Sequence, residues 1–368
     1  MDVELLPASA LGEAEAARWR RALAEGGRPV HPVLSPDFAT AVGRVRPEAR
    51  IAVLRDGDLH GWLAFEPRGR RGVVGEVIGK GFTDVGGLPI EPGLPVPDCH
   101  QLLRACGLAV WRLVQADPGA GPLTGPPPPG TRLLGHAPNP VIDLSAGYQA
   151  HLAHLRRHAP ASLRTVRKHE RRLARDDDAP VRYVFEERDP RLLEVMLHWK
   201  NAQYRASGWT DPLAAARGAD LARSLAELRS PGCTGAVSVL YLGDEPAAVA
   251  LTLRSQNTMA CCVTGYNQRH AAHSPGTVLL GRIIESAADL GIATVDLGEG
   301  DQEYKQALMT SQLALPHGLL WRPGITAMAC LARDSAGSAA RDFITSRPRL
   351  RSGTRATLRR YGALRGCC

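Results

Sequence analysis

The sequence predicts an α/β protein built from a duplicated unit, on three observations. The string Val53-Leu54-x-x-Gly57-Asp58 returns as Val239-Leu240-x-x-Gly243-Asp244, at an offset of 186 residues. Around both copies the apolar periodicity implies the same order of elements: a helix, a hairpin, then further strand and helix. The length of 368 residues also exceeds the roughly 250–300 at which single cores stop growing.

In the first half, residues 3–9 read as a short strand and 12–26 as a helix, with Glu early and Arg later. Residues 49–67 alternate apolar and polar positions and break at Asp56-Gly57-Asp58, a hairpin signal. Residues 75–90 hold too many glycines to read as a strand. Residues 99–117 give a helix and a strand, and the Pro/Gly run 118–130 reads as a stiff loop. In the second half, 192–208 and 213–230 are helical, and 235–255 is a hairpin turning at Gly243-Asp244-Glu245-Pro246. A strand over 257–266, a helix over 275–291 and a strand over 292–300 follow. The chain divides into units 1–145 and 146–323 and a tail, 324–368.

Composition narrows the class. Charged residues at 22% and hydrophobic residues at 44% exclude wholesale disorder. No run of about 18 uncharged apolar residues would span a bilayer. The N-terminus MDVELLPAS has neither a basic nor an apolar signal region, so a soluble cytoplasmic protein is expected. Residues 323–368 carry nine Arg against Asp334 and Asp342, so the net charge of +8 sits mostly in a basic tail, read as solubilising and poorly ordered. The only lysines are Lys80, Lys168, Lys200 and Lys305, in a chain whose Arg, Ala, Gly and Pro bias looks bacterial and GC-rich. Eight cysteines show no CxxC and no zinc-like spacing, and Cys261-Cys262 reads as part of a buried strand. His151, His154 and His158 share a helix face without a nearby ligand partner, so no metal is expected.

The most specific segment runs from Tyr266 to Lys305. Ser274-Pro275-Gly276 opens a helix: Ser274 suits the N-cap, Pro275 the first turn, and Gly276 close approach of a ligand. The amides of Gly276, Thr277 and Val278 at the positive end of the helix dipole, with Arg269, His270 and His273 nearby, make a cradle for a pyrophosphate. Its bland counterpart is an ordinary capped helix. Downstream, Glu299, Asp301 and Glu303 offer general bases, Tyr304 a proton donor and Lys305 a cation, against the alternative of a solvated acidic turn. Arg164, Lys168, Arg171 and Arg175 recur at three and four residues, a cationic helix stripe suited to phosphates, though charge runs are usually solvated faces.

These strings, KNAQYRASG, YLGDEPAAVALTLRS, TGYNQRHAAHSPGTVLL and DLGEGDQEYKQAL, resemble GNAT-type acyltransferases over about residues 150–320. The resemblance is to the branch labelled cellulose-biosynthesis acetyltransferases, related to Fem-type aminoacyl transferases. It implies tandem GNAT-like α/β domains, each a mixed sheet with flanking helices, the first degenerate and the second catalytic. It implies direct acyl transfer from acetyl-CoA or another acyl-CoA to a small-molecule or sugar amine. Ser274, Gly276 and Thr277, with Arg269 and His273, would bind the donor. Glu299 or Asp301 would be the base and Tyr304 the acid, with Lys305 beside them. Lys168, Lys200, Tyr204 and Tyr266 would contact substrate or phosphate. Tyr266-Asn267 stands where the family favours Tyr-Asp, which points away from the family's usual acceptor. Two alternatives remain: a Fem-like transferase that binds aminoacyl-tRNA through the 156–175 stripe, and a non-catalytic scaffold that binds no CoA.

Overall fold

The structure, a computed structural model, describes every residue except 27–28, 70–71, 96, 114, 117–129, 177–178, 208–212, 214–216, 301, 331 and 333–368. The predicted loop 118–130, save Gly130, and most of the tail therefore lie outside the described residues. The first half runs β1 (Asp2–Pro7), α1 (Glu13–Glu25), α2 (Pro36–Val45), β2 (Arg50–Asp56), β3 (Leu59–Arg68), β4 (Val74–Val77), β5 (Val85–Gly86), α3 (Cys99–Ala105), β6 (Val110–Leu113), β7 (Gln115–Ala116) and β8 (Thr131–Asp143). The second runs α4 (Tyr148–His158), α5 (Pro160–Asp176), β9 (Val181–Val184), α6 (Pro190–Ser207), α7 (Gly218–Glu227), β10 (Arg229–Ser230), β11 (Cys233–Leu242), β12 (Glu245–Arg254), β13 (Thr258–Tyr266), α8 (Pro275–Asp289), β14 (Thr294–Asp296), α9 (Glu303–Leu308) and β15 (Ser311–Trp321).

The repeat is real in three dimensions. The hairpins β2–β3 and β11–β12 both close through two residues, with Asp56 opposite Leu59 and Leu242 opposite Glu245. Gly57 and Gly243 sit at φ 59° and 58°, a left-handed conformation that costs other residues energy and that two-residue hairpin turns require. β3 and β12 occupy equivalent positions at the same offset of 186 residues.

The halves are joined by exchanged strands. A single large sheet runs β1-β2-β3-β4-β6-β15-β8-β14-β13-β12-β11-β10, with β9 also on β11. β15, from the end of the second half, lies between β6 and β8, antiparallel to both. β8, from the end of the first half, lies between β15 and β14, the latter pair also antiparallel. Each unit thus ends on a strand supplied by the other. Neither strand is predicted from sequence: Gly135, Pro138 and Pro140 interrupt β8, and Pro316 and Gly318 interrupt β15.

The cores follow the same division of labour. On one sheet face, Trp19, Phe38 and Val42 of the first half share a cluster with Met196, Leu221 and Leu225 of the second. On the other, α8 buries Val278, Leu279, Ile283, Ile284 and Ala287 against Ala248, Ala250 and Met259, an amphipathic stripe at helical spacing. Each such Val, Leu, Ile or Met side chain contributes about 1.5–3 kcal/mol by leaving water. Arg46 and Glu66 form a fully buried ion pair at 2.8 Å, and Glu66 also accepts from the Gly79 amide. Among the described residues no helix is long and apolar enough to cross a membrane.

Strand exchange predicts interdependence. Fragments 1–145 and 146–323, expressed separately, are expected to show no cooperative thermal transition by circular dichroism. Co-expressed, they should elute as a 1:1 complex with a single transition. Independent folding of either fragment would contradict this topology.

Candidate active site

The site begins where two parallel strands part. β13 and β14 pair only at Thr258, Met259 and Ala260 opposite Thr294, Val295 and Asp296. Beyond Asp296 the chain turns away, while β13 continues through Cys261 to Tyr266 with β12 on its other edge. A bulge at Cys262, where Leu251 opposes Val263 and Thr252 opposes Cys261, bends β13 at the point of parting. Ligand crevices in open α/β sheets form at such carboxyl ends. Here the crevice is a cavity of about 1010 Å³. Its walls come from α5 (Ser162, Thr165, His169), α6 (Lys200, Gln203, Tyr204), the start of α8 (Ser274, Gly276, Thr277) and α9 (Glu303, Tyr304, Lys305).

The start of α8 differs from its sequence reading. Ser274 holds the N-cap position in a left-handed conformation, φ 46° and ψ 55°, and its side chain caps nothing. Its carbonyl instead accepts the Thr277 and Val278 amides at 2.9 and 3.2 Å. The Gly276 amide makes no backbone hydrogen bond among the described residues and remains to meet a ligand. A Cβ on Gly276 would stand 3.5 Å from Thr264 Cγ2 and 3.6 Å from Tyr266 Cδ1, ordinary contacts, so glycine here leaves room in the cavity rather than relieving a clash.

Lys305 is 6% exposed, and its Nζ donates to the carbonyls of Gly298 at 3.1 Å and Glu299 at 2.8 Å. Burial lowers its pKa against the opposing pull of Cys261, Asp296 and Glu299. Tyr304 is 40% exposed by surface, yet desolvation, then the nearby Cys261, pushes its phenol up to about 12. Burial also lifts the Cys261 thiol to about 12 and raises Cys262, so both stay protonated and unreactive at neutral pH. Both cysteines line the cavity, half-buried, where the sequence suggested a closed strand. His169 is lowered by burial first, then by His273, Arg172 and Lys168, which leaves a neutral imidazole at pH 7.

Of the residues singled out from sequence, Ser274, Gly276, Thr277, Lys200, Tyr204, Tyr266, Glu303, Tyr304 and Lys305 line the cavity. Others do not. Glu299 is exposed, and its charge, after burial, helps raise the carboxyl of Asp84 in the first half. Arg269 lies 3.9 Å from Glu245, and both are largely exposed. His273 is outside the lining, and Lys168 is on the solvent side of α5. Asp301 lies outside the described residues. His169 is masked in the sequence by the cation run around it, although it falls seven residues after Ser162 on the same helix face.

Residues 161–306 match the family described as an acetyltransferase (GNAT) domain. The second unit therefore carries an acyltransferase domain. The fold of the whole chain is similar to FemX, at TM-score 0.55 and 9% identity over 86% of this chain and 97% of that one. It is also similar to the C-terminal domain of a putative lysylphosphatidylglycerol synthetase from Agrobacterium fabrum, at 0.52 and 13%, covering 87% and 96%. A protein of unknown function from Bacteroides thetaiotaomicron gives 0.53 and 11%, covering 86% and 99%. These likenesses run through both units and show a shared fold. No curated protein sequence matches the chain.

The Tyr304 phenol gives the site a measurable signature. Its folded pKa lies above the ordinary 10.0, so it binds its proton more tightly when folded. Stability is therefore expected to fall as pH rises from about 10 toward about 12. In the native protein at pH about 11, where an ordinary tyrosine is mostly phenolate, Tyr304 stays a phenol. Near-ultraviolet phenolate absorbance should be the same at that pH for wild type and Tyr304→Phe, and should diverge above it. Divergence near pH 10 would show the phenol to be solvated.

Proposed function

We propose that the second unit transfers an acyl group, in the first instance acetyl, from acyl-CoA directly to an amine. The observation that supports this most is the single cavity at the parting of β13 and β14, which the α8 terminus, the open β13 edge and Tyr304 all share. The donor's pyrophosphate meets the Gly276 amide and the positive end of α8. Its amide-bearing arm runs along the edge of β13 as an added strand would. The acceptor enters beside α6, past Lys200 and Tyr204.

In the chemical step the amine nitrogen bonds to the thioester carbonyl carbon, its proton passes to a base, and the C–S bond breaks. His169 and Glu303 are the cavity-lining groups able to accept that proton. Tyr304, with a pKa of about 12, is a weaker acid than a thiol of about 8.5. It therefore hydrogen-bonds to the departing sulfur and lowers its charge. The thiolate then collects its proton from the protonated base or from water.

A second reading is favoured by α5. Arg164, Arg167, Lys168, Arg171 and Arg172 are exposed within one arc of the helix, next to the cavity-lining Thr165 and His169. Such a row suits the Fem-like alternative, in which the donor is an aminoacyl-tRNA. That reading predicts binding of tRNA that weakens roughly 10²–10³-fold between about 50 and 200 mM salt.

Calorimetric titration of acetyl-CoA into wild type and Gly276→Trp separates the readings. A micromolar-range affinity abolished by the indole, in a variant with unchanged melting temperature, is the expected result. No heat with wild type would remove acetyl-CoA as donor and turn the test to longer acyl-CoAs and aminoacyl-tRNA.

A further inference from the structure

We propose that His31, from the first unit, is a positioning residue for the second unit's cavity. Through Asp296 it holds the turn 297–300, and with that turn Lys305 and the neighbouring Tyr304. The consequence for turnover rests on the acyl-transfer reading; the contact chain itself does not.

The turn is clamped from both sides. Asp296, 6% exposed, accepts the Gly298 amide on Oδ1 at 2.6 Å and Asn139 Nδ2 on Oδ2 at 2.8 Å. The carbonyls of Gly298 and Glu299 face the other way and take the Lys305 ammonium. Gly298 and Gly300 stand at φ 73° and 133°, backbone that other residues avoid, so the turn keeps its shape only while its partners hold it. β8 adds two further ties, Leu297 N to Pro140 O at 3.1 Å and Gly300 N to Pro138 O at 3.3 Å.

His31 completes the anionic side. It is buried, and its Nδ1 accepts the Val33 amide at 3.4 Å, which leaves Nε2 as the nitrogen that carries a proton toward Asp296. That nitrogen lies 3.5 Å from Asp296 Oδ2. The ring is delivered to this point by anchors that do not involve Asp296. The Val30 amide donates to Asn257 Oδ1 at 3.0 Å, and Ser255 Oγ donates to the Val30 carbonyl at 2.6 Å. The Asn257 carbonyl also receives the amides of Ala293 and Thr294, at 2.9 and 3.0 Å, immediately before Asp296. One asparagine thus sets the distance between the first unit's histidine and the second unit's aspartate. A buried carboxylate stripped of a facing donor either draws in water or swings from its remaining partners. Here the partner at risk is the Gly298 amide. Releasing it frees the carbonyls that hold Lys305.

The chain's scarcity of lysine makes this directly readable, because Lys80, Lys168 and Lys200 serve as internal references for Lys305. The experiment is competitive labelling of the full-length protein with an amine-reactive succinimidyl ester, read by mass spectrometry. In His31→Leu, which keeps the volume and loses the facing Nε2, Lys305 labelling relative to Lys168 should rise about fivefold, the scale of one lost buried polar contact. In His31→Gln, whose amide nitrogen replaces Nε2, it should return to within about twofold of wild type. Should His31→Leu label all four lysines alike, it has unfolded, and His31→Gln against Asp296→Asn decides: the first protected and the second labelled is the expected pattern. Lys305 equally protected in folded His31→Leu, or equally labelled in His31→Gln, overturns the proposal. With acetyl-CoA and an accepting amine, His31→Leu should lose about tenfold in kcat at unchanged KM for the donor, as expected when an interaction that matters only in the transition state is lost. Failure of wild type to bind acetyl-CoA would sink the donor assignment and leave the labelling result standing.

Discussion

The cavity exists because the parallel pairing of β13 with β14 stops after Ala260 and Asp296. A ladder that continued would fill the edge of β13 with hydrogen bonds and close the sheet. Two local features end it. The bulge at Cys262 bends β13, and the left-handed Gly298 throws the chain after Asp296 out of the sheet. What the open edge loses in pairing is offset by fastening the diverted segment: an aspartate takes its amide, a buried lysine takes its carbonyls, and β8 holds its flanks.

The first unit has the same strands and does not open in the same way. β4 and β6 are its parallel pair, joined at Val74–Val110 and Gly75–Trp111. Beyond them β5 pairs with β7, and Leu88 is buried with Leu102, Leu103 and Leu108. The first unit lends β8, shares a core with α6 and α7, adds Gly81 to the cavity lining and sets His31 against Asp296. Exchange of β8 and β15 makes that contribution obligatory, because neither sheet half can complete itself.

Much of this was legible in the residues, and what was missed has physical causes. Local signals carried the two hairpins, α8 and the duplication, since each depends on contacts a few residues apart. β8 and β15 escaped because their stability comes from long-range pairing that tolerates proline and glycine, the residues that argue against a strand when read locally. At the site, Gly276, Tyr304 and Lys305 were legible as a spacing. Which way a side chain points was not. Glu299 sits beside the cavity in sequence, but it is its backbone carbonyl that serves Lys305, while its carboxylate is exposed and outside the cavity lining. In α5 the charged residues drew attention and point to solvent, whereas Ser162, Thr165 and His169 between them face the cavity.

The electrostatics of the cavity bear on how an acyl group would move through it. A covalent relay needs a nucleophile that is deprotonated near neutral pH, and desolvation denies this to both cavity thiols. Direct attack needs the opposite set: a neutral base and a donor that keeps its proton beside a departing anion. The same desolvation supplies both, lowering His169 so that it is unprotonated and raising Tyr304 so that it stays a phenol. Burial thus acts in opposite directions on an imidazole and on a phenol, and each ends in the protonation state that direct transfer requires.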